Sequence, residues 1–309
     1  MHQSTVHEVK GSNDPDRQVW FITGCSTGFG RALALCVLAK GYRVVVTARD
    51  PAAIQDLAAR GEALVLRLDV TAPDQITAAV KAAEDKFGRI DVLVNNAGIG
   101  YFAAVEESED SELRKMFEIN VFGMGQMIKA ALPGMRKRRA GCIVNIGSIA
   151  GLRPFSGVGY YNASKFAVEG LSGALRQEVE PLGIKVMVVE PSDFRTDWAG
   201  RSAHESKVQI ADYAETAGKT RHHLRQISGR QVGDPVRGAQ AIVQAVESAA
   251  MPAHLLLGND AYNGAIATIE DLRKDFVAWE KVSRAADFPK SAAVPVGLAA
   301  KPSPVIAVT

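Results

Sequence analysis

Short apolar runs alternate with segments of helical periodicity along most of the chain. The runs predict buried strands at residues 19–22, 42–47, 63–68, 91–95, 142–146, 184–189 and 254–257. The segments between them predict helices, including one that opens near Pro51 and a long one at about 72–87. Strands that alternate with helices predict an α/β fold of three layers, with a parallel sheet covered on both faces. Near the C-terminus, apolar residues at three- and four-residue steps over 261–284 predict a helix packed on the core.

A glycine-rich turn follows the first predicted strand. It carries Gly24, Gly28 and Gly30 and runs directly into a helical pattern. A strand, a glycine turn and a helix form the arrangement that places a nucleotide pyrophosphate at a helix N-terminus. Gly24 permits the tight turn, while Gly28 and Gly30 let the backbone approach a phosphate closely. The spacing is G-x-x-x-G-x-G rather than G-x-G-x-x-G, so the turn alone also fits a loop that binds no nucleotide.

Two residues with complementary acid–base chemistry lie one helical turn apart. Tyr161 and Lys165 belong to a predicted helix, where residues four positions apart share one face. A phenol titrates near about pH 10, and a nearby ammonium lowers its pKa toward the working range. Ser148, upstream, offers a hydroxyl that can hold a carbonyl oxygen beside the phenol. A tyrosine and a lysine at this spacing also occur together by chance, so the pair needs support from the rest of the chain.

Together these motifs resemble the short-chain dehydrogenase/reductase family in its compact single-domain form. The matching positions occur in the family's order: Thr23, Gly24, Gly28, Gly30, Asn95, Asn96, Ala97, Gly98, Asn120, Ser148, Tyr161, Lys165, Pro191 and Thr196. The resemblance covers about residues 17–285 and implies a doubly wound, Rossmann-like parallel sheet in a single domain. The chain departs from the family at Ser192, where glycine is common. Serine adopts a positive φ less readily than glycine does, so the resemblance does not determine the backbone conformation near the nicotinamide.

The resemblance implies a role for each matching residue. Tyr161 would exchange a proton with the substrate oxygen, Ser148 would hold that oxygen, and Lys165 would lower the Tyr161 pKa and bind the nicotinamide ribose. Asn120 would support a water chain to Lys165, although an asparagine satisfying local backbone is the alternative. The implied cofactor-binding residues are Gly24, Ser26, Thr27, Gly28, Phe29, Gly30, Asp69, Val70, Asn96, Ala97, Gly98, Tyr161, Lys165 and Thr196.

Charge at the end of the second predicted strand bears on the choice between NADP and NAD. An acidic residue there binds the ribose hydroxyls of NAD and repels a 2′-phosphate. Here the residue that follows the strand end is Arg49, whose guanidinium can pair with the phosphate, and Ser26 adds a hydroxyl. The alternative is that Arg49 is merely solvated or pairs with Asp50. We predict NADP over NAD on this charge argument.

Substrate contacts are expected in the segment of about 192–231, which matches the family's substrate lid. It contains Trp198 and three histidines, of which His222 and His223 point apart on a helix, so no metal site is predicted. Nothing in the lid distinguishes a ketone, an aldehyde, a steroid or a quinone. The sequence therefore predicts an NADP(H)-dependent oxidoreductase acting on a carbonyl compound or a secondary alcohol. An NAD-dependent alcohol or polyol dehydrogenase is the first alternative, and a nucleotide-sensing protein without catalysis is the second.

Composition agrees with a globular enzyme and excludes some other classes. The chain has 309 residues, 47% hydrophobic and 23% charged, with a net charge of +2, which is too small to indicate a nucleic-acid or membrane partner. Three cysteines provide no disulfide framework, and together with the absence of a signal-like segment they predict a cytoplasmic protein. We expect a polar tail at 1–17, the oxidoreductase domain at 18–288 and a C-terminal tail at 289–309. By analogy with the family, helices around 109–132 and 160–180 predict a homodimer or homotetramer.

Overall fold

The computed structural model of the protein describes residues 17–288. The strands in this range are β1 (Val19–Ile22), β2 (Arg43–Ala48), β3 (Ala63–Arg67), β4 (Val92–Asn95), β5 (Gly100–Phe102), β6 (Gly141–Ile146), β7 (Ile184–Pro191), β8 (Ala203–Glu205) and β9 (His254–Leu257). The α-helices are α1 (Gly28–Ala39), α2 (Pro73–Phe87), α3 (Asp110–Phe117), α4 (Met124–Arg138), α5 (Gly159–Val179), α6 (Lys219–Gln226), α7 (Pro235–Glu247), α8 (Asn259–Ala278) and α9 (Glu280–Arg284). The predicted tails lie outside the described residues, apart from Arg17.

Seven strands form one parallel sheet in the order β3-β2-β1-β4-β6-β7-β9. From β1 the chain first builds outward to β2 and β3, and then returns to add β4 on the other side of β1. This reversal opens a crevice at the carboxyl ends of β1 and β4, which is where doubly wound sheets bind dinucleotides. The predicted Rossmann-like α/β fold is therefore confirmed.

Each face of the sheet carries its own hydrophobic core. Val19 and Phe21 of β1 pack on one face with buried residues of α2, α4 and α5. Trp20 and Ile22 point to the other face and pack with α1 and α7. Both faces of β1 are thus apolar, which explains why the run Val19–Ile22 shows no alternation of polar and apolar residues. The three predicted layers are present.

The structure departs from the predicted elements in two places near the site. Residues Pro51–Arg60 form a 3₁₀ helix after β2, and Glu118–Gly123 form a π-helix between α3 and α4. A second, two-stranded parallel sheet pairs β5 with β8, joining the segment after β4 to the predicted lid. These strands have only three residues each, so they are too short for an apolar pattern to reveal them.

The chain divides into two compact units after Ala265. The first unit contains the whole sheet and every residue proposed above for the site. In the second, Ile266, Phe276 and Trp279 are among apolar side chains that are 46–68% exposed, so the predicted packing of this face on the core is wrong. Within residues 17–288, no helix combines the length and the apolar character that crossing a membrane requires.

Candidate active site

The glycine turn between β1 and α1 has the geometry that its sequence predicts. Gly24 and Gly28 adopt positive φ angles of 71° and 59°, which a residue with a Cβ reaches only at a cost. A Cβ on Gly30 would lie 2.3 Å from the Gly24 carbonyl oxygen, so the turn closes only with glycine there. α1 begins without an acidic residue in its first turn and without a side-chain cap from Thr27. Its first N–H groups are therefore available to an anion.

The turn is held against the end of β4 by Asn96 and Thr23. Asn96 Nδ2 donates to the carbonyl oxygens of Thr23 and Gly24 at 2.9 and 3.0 Å. Thr23 Oγ1 accepts the backbone N–H groups of Asn96 and Ala97 at 2.9 and 3.0 Å. The predicted residues Asn96, Ala97 and Gly98 and the glycine turn thus line the same crevice, at the carboxyl ends of β1 and β4.

Ser148, Tyr161 and Lys165 meet where β6 leads into α5. Ser148 follows β6 and caps a short 3₁₀ turn, its Oγ accepting the Ala150 N–H at 3.1 Å. Tyr161 and Lys165 lie on one face of α5, with Lys165 Nζ 5.7 Å from the centroid of the Tyr161 ring. Lys165 Nζ donates to the Ile146 carbonyl oxygen at 2.8 Å, and so fixes the segment that carries Ser148. The sequence prediction that these three side chains share one site agrees with this geometry.

Burial sets the protonation of this group. It raises the pKa of the Tyr161 phenol, an effect that the Ser148 hydroxyl opposes and the Asp193 charge reinforces. Burial also lowers the pKa of Lys165 to about 8, against the charge of Glu169. The sequence predicted a lowered Tyr161 pKa, and the structure shows the opposite because the phenol loses its hydration. A neutral phenol at pH 7 is a proton donor, the form that reduction of a carbonyl needs.

Asn120 lies in the π-helix rather than in a regular turn of α-helix. Its amide exchanges two hydrogen bonds with the backbone of Ile99, each of 2.9 Å. Its Nδ2 also donates to Ser164 Oγ at 3.2 Å, next to Lys165. The Asn120 side chain is therefore bonded to residues outside its own helix, in a π turn of the kind that is frequent at functional sites. The alternative of purely local backbone satisfaction is wrong, since Ile99 is 21 residues away in the sequence.

Thr196 lies against the glycine turn. A Cβ on Gly28 would lie 3.3 Å from Thr196 Cβ, so the two residues face each other across the crevice. Ser192 pairs through its N–H with the Leu257 carbonyl at 3.0 Å and does not adopt a positive φ, because Arg139 is the one non-glycine residue of the described range that does. The replacement of glycine by Ser192 is therefore accommodated without backbone strain.

The residues predicted to bind the adenosine end lie after β1, β2 and β3. Ser26, in the turn after β1, and Arg49, after β2, are both exposed. Within the described range no hydrogen bond or ion pair engages the Arg49 guanidinium. Asp50 instead caps the following 3₁₀ helix, its Oδ1 accepting the Ala52 N–H at 3.0 Å, so the pairing with Arg49 is absent. Asp69 accepts the hydroxyl of Thr71 at 2.7 Å, and the neighbouring Val70 packs in the core.

Phe29 differs from the other predicted cofactor residues in the direction of its side chain. Its ring packs on that of Phe194, with centroids 4.7 Å apart, and a Cβ on Gly238 would lie 2.5 Å from it. The Phe29 side chain therefore packs against Phe194 and Gly238. Only the Phe29 backbone is left to contact a phosphate.

The predicted lid is anchored over the site by charge and by an aromatic contact. The Arg221 guanidinium pairs with the buried Glu107 at 3.0 Å and with Glu205 at 3.2 Å. Trp198 lies on Tyr161 with ring centroids 4.8 Å apart, and on Phe102 at 5.6 Å. The Tyr161 ring thus belongs to an apolar cluster formed by the lid, β5 and α5.

Comparison with known proteins agrees with this geometry. The family model described as short chain dehydrogenase matches residues 18–207. The Oxidoreductase BOA17 of Botryotinia fuckeliana is 37% identical over 271 residues, covering 87% of this chain and 98% of the relative. The 3-ketodihydrosphingosine reductase of Bacteroides thetaiotaomicron is 42% identical over 200 residues, covering 64% of this chain and 72% of the relative.

Solved structures give the same result. A short-chain dehydrogenase from Streptomyces avermitilis superposes with a TM-score of 0.82 at 41% identity, covering 89% of this chain and 100% of that one. A short-chain dehydrogenase/reductase from Burkholderia phymatum in complex with NAD gives 0.74 at 26% identity, covering 90% and 99%. A metagenomic short-chain oxidoreductase in complex with NADP gives 0.54 at 34% identity, covering 58% and 83%.

The chain is a short-chain dehydrogenase/reductase. This membership makes it an oxidoreductase with a nicotinamide cofactor. The residues of this chain fit such a group, because the cradle at Gly30 leaves no room for a side chain and the first N–H groups of α1 are open.

Sequence reasoning missed several residues that build the site of this dehydrogenase. The motif contains Thr23, but the sequence does not predict that its hydroxyl joins the glycine turn to β4. The structure also contains a buried amide relay that the sequence does not predict: Asn95 Nδ2 donates to Asn145 Oδ1 at 2.9 Å, and Asn145 Nδ2 donates to Ser172 Oγ at 2.8 Å. This relay ties β4, β6 and α5 together just below the crevice. Polar residues at the ends of apolar strands were the available signal.

We predict that Gly30→Ala weakens both the fold and cofactor binding. The new methyl group would overlap the Gly24 carbonyl oxygen and Asn96 Nδ2, and such overpacking lowers the free energy of unfolding by about 1–3 kcal/mol. We expect at least about a tenfold loss of nicotinamide-dinucleotide affinity in calorimetry, since the turn must open. Gly173→Ala on α5 is the matched control, because its Cβ would meet nothing within 4 Å. Unchanged affinity in Gly30→Ala would mean that this turn does not hold the pyrophosphate.

Proposed function

We propose that the protein is an NADP(H)-dependent carbonyl reductase, which in the reverse direction oxidises a secondary alcohol, with Tyr161 as the general acid and base. The observation that carries the proposal is the cluster of Ser148, Tyr161 and Lys165 beside the crevice at β1 and β4. The cofactor, when bound, supplies or accepts the hydride. The residues of this chain bind it, orient the substrate and move the proton.

The proton chemistry divides among three side chains. Tyr161, buried and neutral, gives the proton of its hydroxyl to the carbonyl oxygen as negative charge develops there. Ser148 donates a hydrogen bond to the same oxygen, which stabilises that charge. Lys165, whose ammonium lies over the Tyr161 ring, stabilises the phenolate that remains. In the direction of alcohol oxidation the same groups act in reverse.

Cofactor preference is proposed from the charge at the end of β2. Arg49 is exposed and, in the described part of the chain, is not engaged by any carboxylate, so it is free to pair with a 2′-phosphate. Ser26 lies exposed in the adjacent turn and adds a hydrogen-bond donor. An acidic side chain, which would favour NAD, is absent from the last position of β2, since this strand ends at Ala48. Asp69 and Val70 would contact adenine, and Thr196 the carboxamide of the nicotinamide.

The substrate is proposed to be an apolar carbonyl compound. Trp198, Phe102 and Val158 pack with Tyr161 in one apolar cluster, so a substrate bound at the phenol would contact apolar surface. One relative is named 3-ketodihydrosphingosine reductase, and the reduction of a keto compound in that name supports a carbonyl substrate. Polyols would bury their hydroxyl groups against the same surface without partners, which disfavours the polyol dehydrogenase alternative.

We predict that Trp198→Ala selectively impairs bulky apolar substrates. Removing the indole loses the burial of an aromatic side chain, worth roughly 1.5–3 kcal/mol, so kcat/KM for an aryl ketone should fall by about 10- to 100-fold. For acetone-sized ketones the decrease should be smaller, because they contact less of the indole. Trp279→Ala, at an indole that is 64% exposed, is the control. An equal decrease for small and bulky ketones would show that Trp198 does not contact the substrate.

The test of the proposed function is a titration followed by a substrate screen. Binding of NADPH and NADH to the purified protein would be measured by calorimetry or by fluorescence. We expect tighter binding of NADPH, followed by oxidation of NADPH in the presence of one or more ketones or aldehydes. Tighter binding of NADH would favour the alternative of an NAD-dependent alcohol dehydrogenase. Binding of a dinucleotide without turnover of any ketone, aldehyde or alcohol would favour the non-catalytic alternative, even though both Tyr161 and Lys165 are present.

Assembly as a homodimer or homotetramer is part of the proposal. Phe122, Phe166 and Leu171 are 56%, 45% and 41% exposed, and all three lie in the regions predicted to pair. Exposed apolar side chains grouped on neighbouring helices are typical of subunit interfaces. Light scattering coupled to gel filtration measures the state directly, and a monomer at micromolar concentration would contradict the assignment.

A further inference from the structure

Three ionisable side chains meet beneath the loop that carries Ser148. They are Glu169 of α5, Glu190 of β7 and His254 of β9, and one carboxylate oxygen of each glutamate and one ring nitrogen lie within 4.8 Å of one another. His254 Nδ1 is 2.7 Å from Glu190 Oε1 and 3.6 Å from Glu169 Oε2. None of these residues has a part in the proton transfer proposed above.

The two carboxyl groups are buried and incompletely hydrogen-bonded. The side chain of Glu190 has no exposed surface and that of Glu169 is 11% exposed, whereas that of His254 is 48% exposed. Among residues 17–288, nothing donates a hydrogen bond to either oxygen of Glu169 or to Oε2 of Glu190. Two ionised carboxylates buried this close together repel each other, which favours the protonated form of one of them. Burial accordingly raises the pKa of both groups to about 8.

Glu169 is also close to the catalytic group. It follows Lys165 by one helical turn and therefore lies on the same face of α5. A Cβ on Gly147 would lie 2.9 Å from Glu169 Oε1. Gly147 stands between Ser148 and Ile146, whose carbonyl oxygen accepts the Lys165 ammonium. Lys165 and Glu169 thus contact the same three-residue segment.

The charges that act on this cluster come from α5, β7 and β9. On α5, Lys165 and Arg176 act on Glu169, and Arg176 is anchored to the carbonyl oxygens of Val186 and Ala253. From β7 the charge of Glu190 raises the pKa of Glu169, and from β9 His254 lowers it. After β7, Asp193 acts on Tyr161 rather than on the cluster. Burial lowers the pKa of Lys165, and the charge of Glu169 opposes this effect.

We propose that Glu169 is a positioning residue that keeps Lys165 protonated, and that Glu190 and His254 determine how much negative charge Glu169 carries. The two glutamates share one proton near neutral pH, and the half-exposed imidazole of His254 connects them to solvent. The consequence for turnover rests on the proposed function, but the coupling between Glu169 and Lys165 does not.

The proposal requires two substitutions to act with opposite sign. Glu169→Gln removes the charge that retains the Lys165 proton, so Lys165 should lose it at a lower pH. Glu190→Gln removes the carboxylate that keeps Glu169 protonated, so Glu169 ionises more readily and Lys165 should hold its proton to a higher pH. A role in packing alone would not produce shifts of opposite direction, since glutamine has nearly the shape of glutamate.

The experiment is a pH titration of Lys165 by NMR in protein labelled with ¹³C-lysine, with the resonance assigned by its loss in Lys165→Arg. We expect the midpoint to move down by about one pH unit in Glu169→Gln and up in Glu190→Gln. Glu178→Gln, at an exposed position of the same helix, should leave it unchanged. Glu169→Asp keeps the carboxylate, so its Lys165 midpoint should lie between that of Glu169→Gln and that of the unmodified protein. The alkaline limb of kcat/KM for ketone reduction should move with each midpoint.

Three results would overturn the proposal: an unchanged Lys165 midpoint in Glu169→Gln, shifts of the same direction in both variants, or a stoichiometric divalent ion found in the purified protein and lost in Glu190→Gln. If Glu169→Gln does not fold, Glu190→Gln decides alone, because only a rise of the midpoint supports the proposal. Shifts of the expected signs in a protein that reduces no carbonyl compound would leave the coupling established and the proposed function rejected.

Discussion

Tyr161→Phe is expected to lower the rate of carbonyl reduction by at least about a thousandfold, because the variant has no hydroxyl to protonate the substrate oxygen. General acid catalysis contributes roughly 10²- to 10⁴-fold, and of the phenols in the apolar cluster we assign this role to Tyr161 because it lies beside Ser148 and Lys165. The phenylalanine ring should keep its packing against Trp198, whose centroid lies 4.8 Å away. Cofactor affinity should therefore change by less than about threefold, and the loss should appear in kcat rather than in KM.

The neighbouring Tyr160 provides a matched control for this substitution. Tyr160→Phe removes the same atom one residue away, on a different face of α5, and should retain most of the activity. Single-turnover measurements with excess enzyme separate the chemical step from product release. Turnover of Tyr161→Phe close to that of the unmodified protein would remove Tyr161 from the mechanism and leave Ser148 as the remaining hydroxyl.

The sheet was predictable because each strand is a short apolar run with clear boundaries. Val19–Ile22 and His254–Leu257 agree with the predicted bounds residue for residue, and the others differ by one or two positions. Both faces of the sheet are covered, so each buried run is apolar throughout and stands out from the amphipathic helices. Hydrophobic pattern therefore determines most of the architecture on which the site is built.

The elements that shape the substrate side were not predictable in the same way. The π-helix at Glu118–Gly123 inserts one extra residue per turn without any change in composition. β5 and β8 pair residues about a hundred positions apart over three residues each, so neither has a local signal. Trp198 reaches Tyr161 through this pairing, because Gly100 leaves room for the indole: a Cβ there would lie 2.8 Å from Trp198 Cζ2.

The electrostatics of the catalytic group also exceeded what the sequence could predict. A tyrosine and a lysine one helical turn apart predict a lowered phenol pKa only if the phenol stays hydrated or the ammonium lies close to it. In the structure Tyr161 and Lys165 are both buried, at 7% exposure each, and desolvation dominates for both. Glu169 acts on the pKa of Lys165, and Glu190 acts on that of Glu169. Each is a single glutamate within a helix or strand pattern, which does not indicate that its carboxyl group is buried. Burial of charge is a tertiary property and becomes visible only in the folded chain.

Arg49→Asp is expected to reverse the cofactor preference. The substitution replaces a guanidinium that pairs with the 2′-phosphate by a carboxylate that repels it and that can accept the ribose hydroxyls of NADH. A charge-assisted hydrogen bond contributes about 1.5–3 kcal/mol, so NADPH affinity should fall by roughly 10- to 100-fold or more, while NADH affinity stays the same or improves. Stability should change little, because Arg49 is exposed and, within residues 17–288, engages no partner.

The control for Arg49→Asp carries the same change of charge at the end of the following 3₁₀ helix. Arg60→Asp, at another exposed position, alters the net charge equally but lies at the far end of this helix from Arg49. Calorimetric titration of both variants with NADPH and NADH, repeated at high salt, separates a local phosphate contact from a general effect of charge, since only the latter is strongly screened between distant groups. Equal losses for NADPH and NADH in Arg49→Asp, or an equal loss of NADPH in Arg60→Asp, would show that Arg49 does not recognise the phosphate. A loss confined to NADPH and to Arg49 would establish that the end of β2 selects the cofactor.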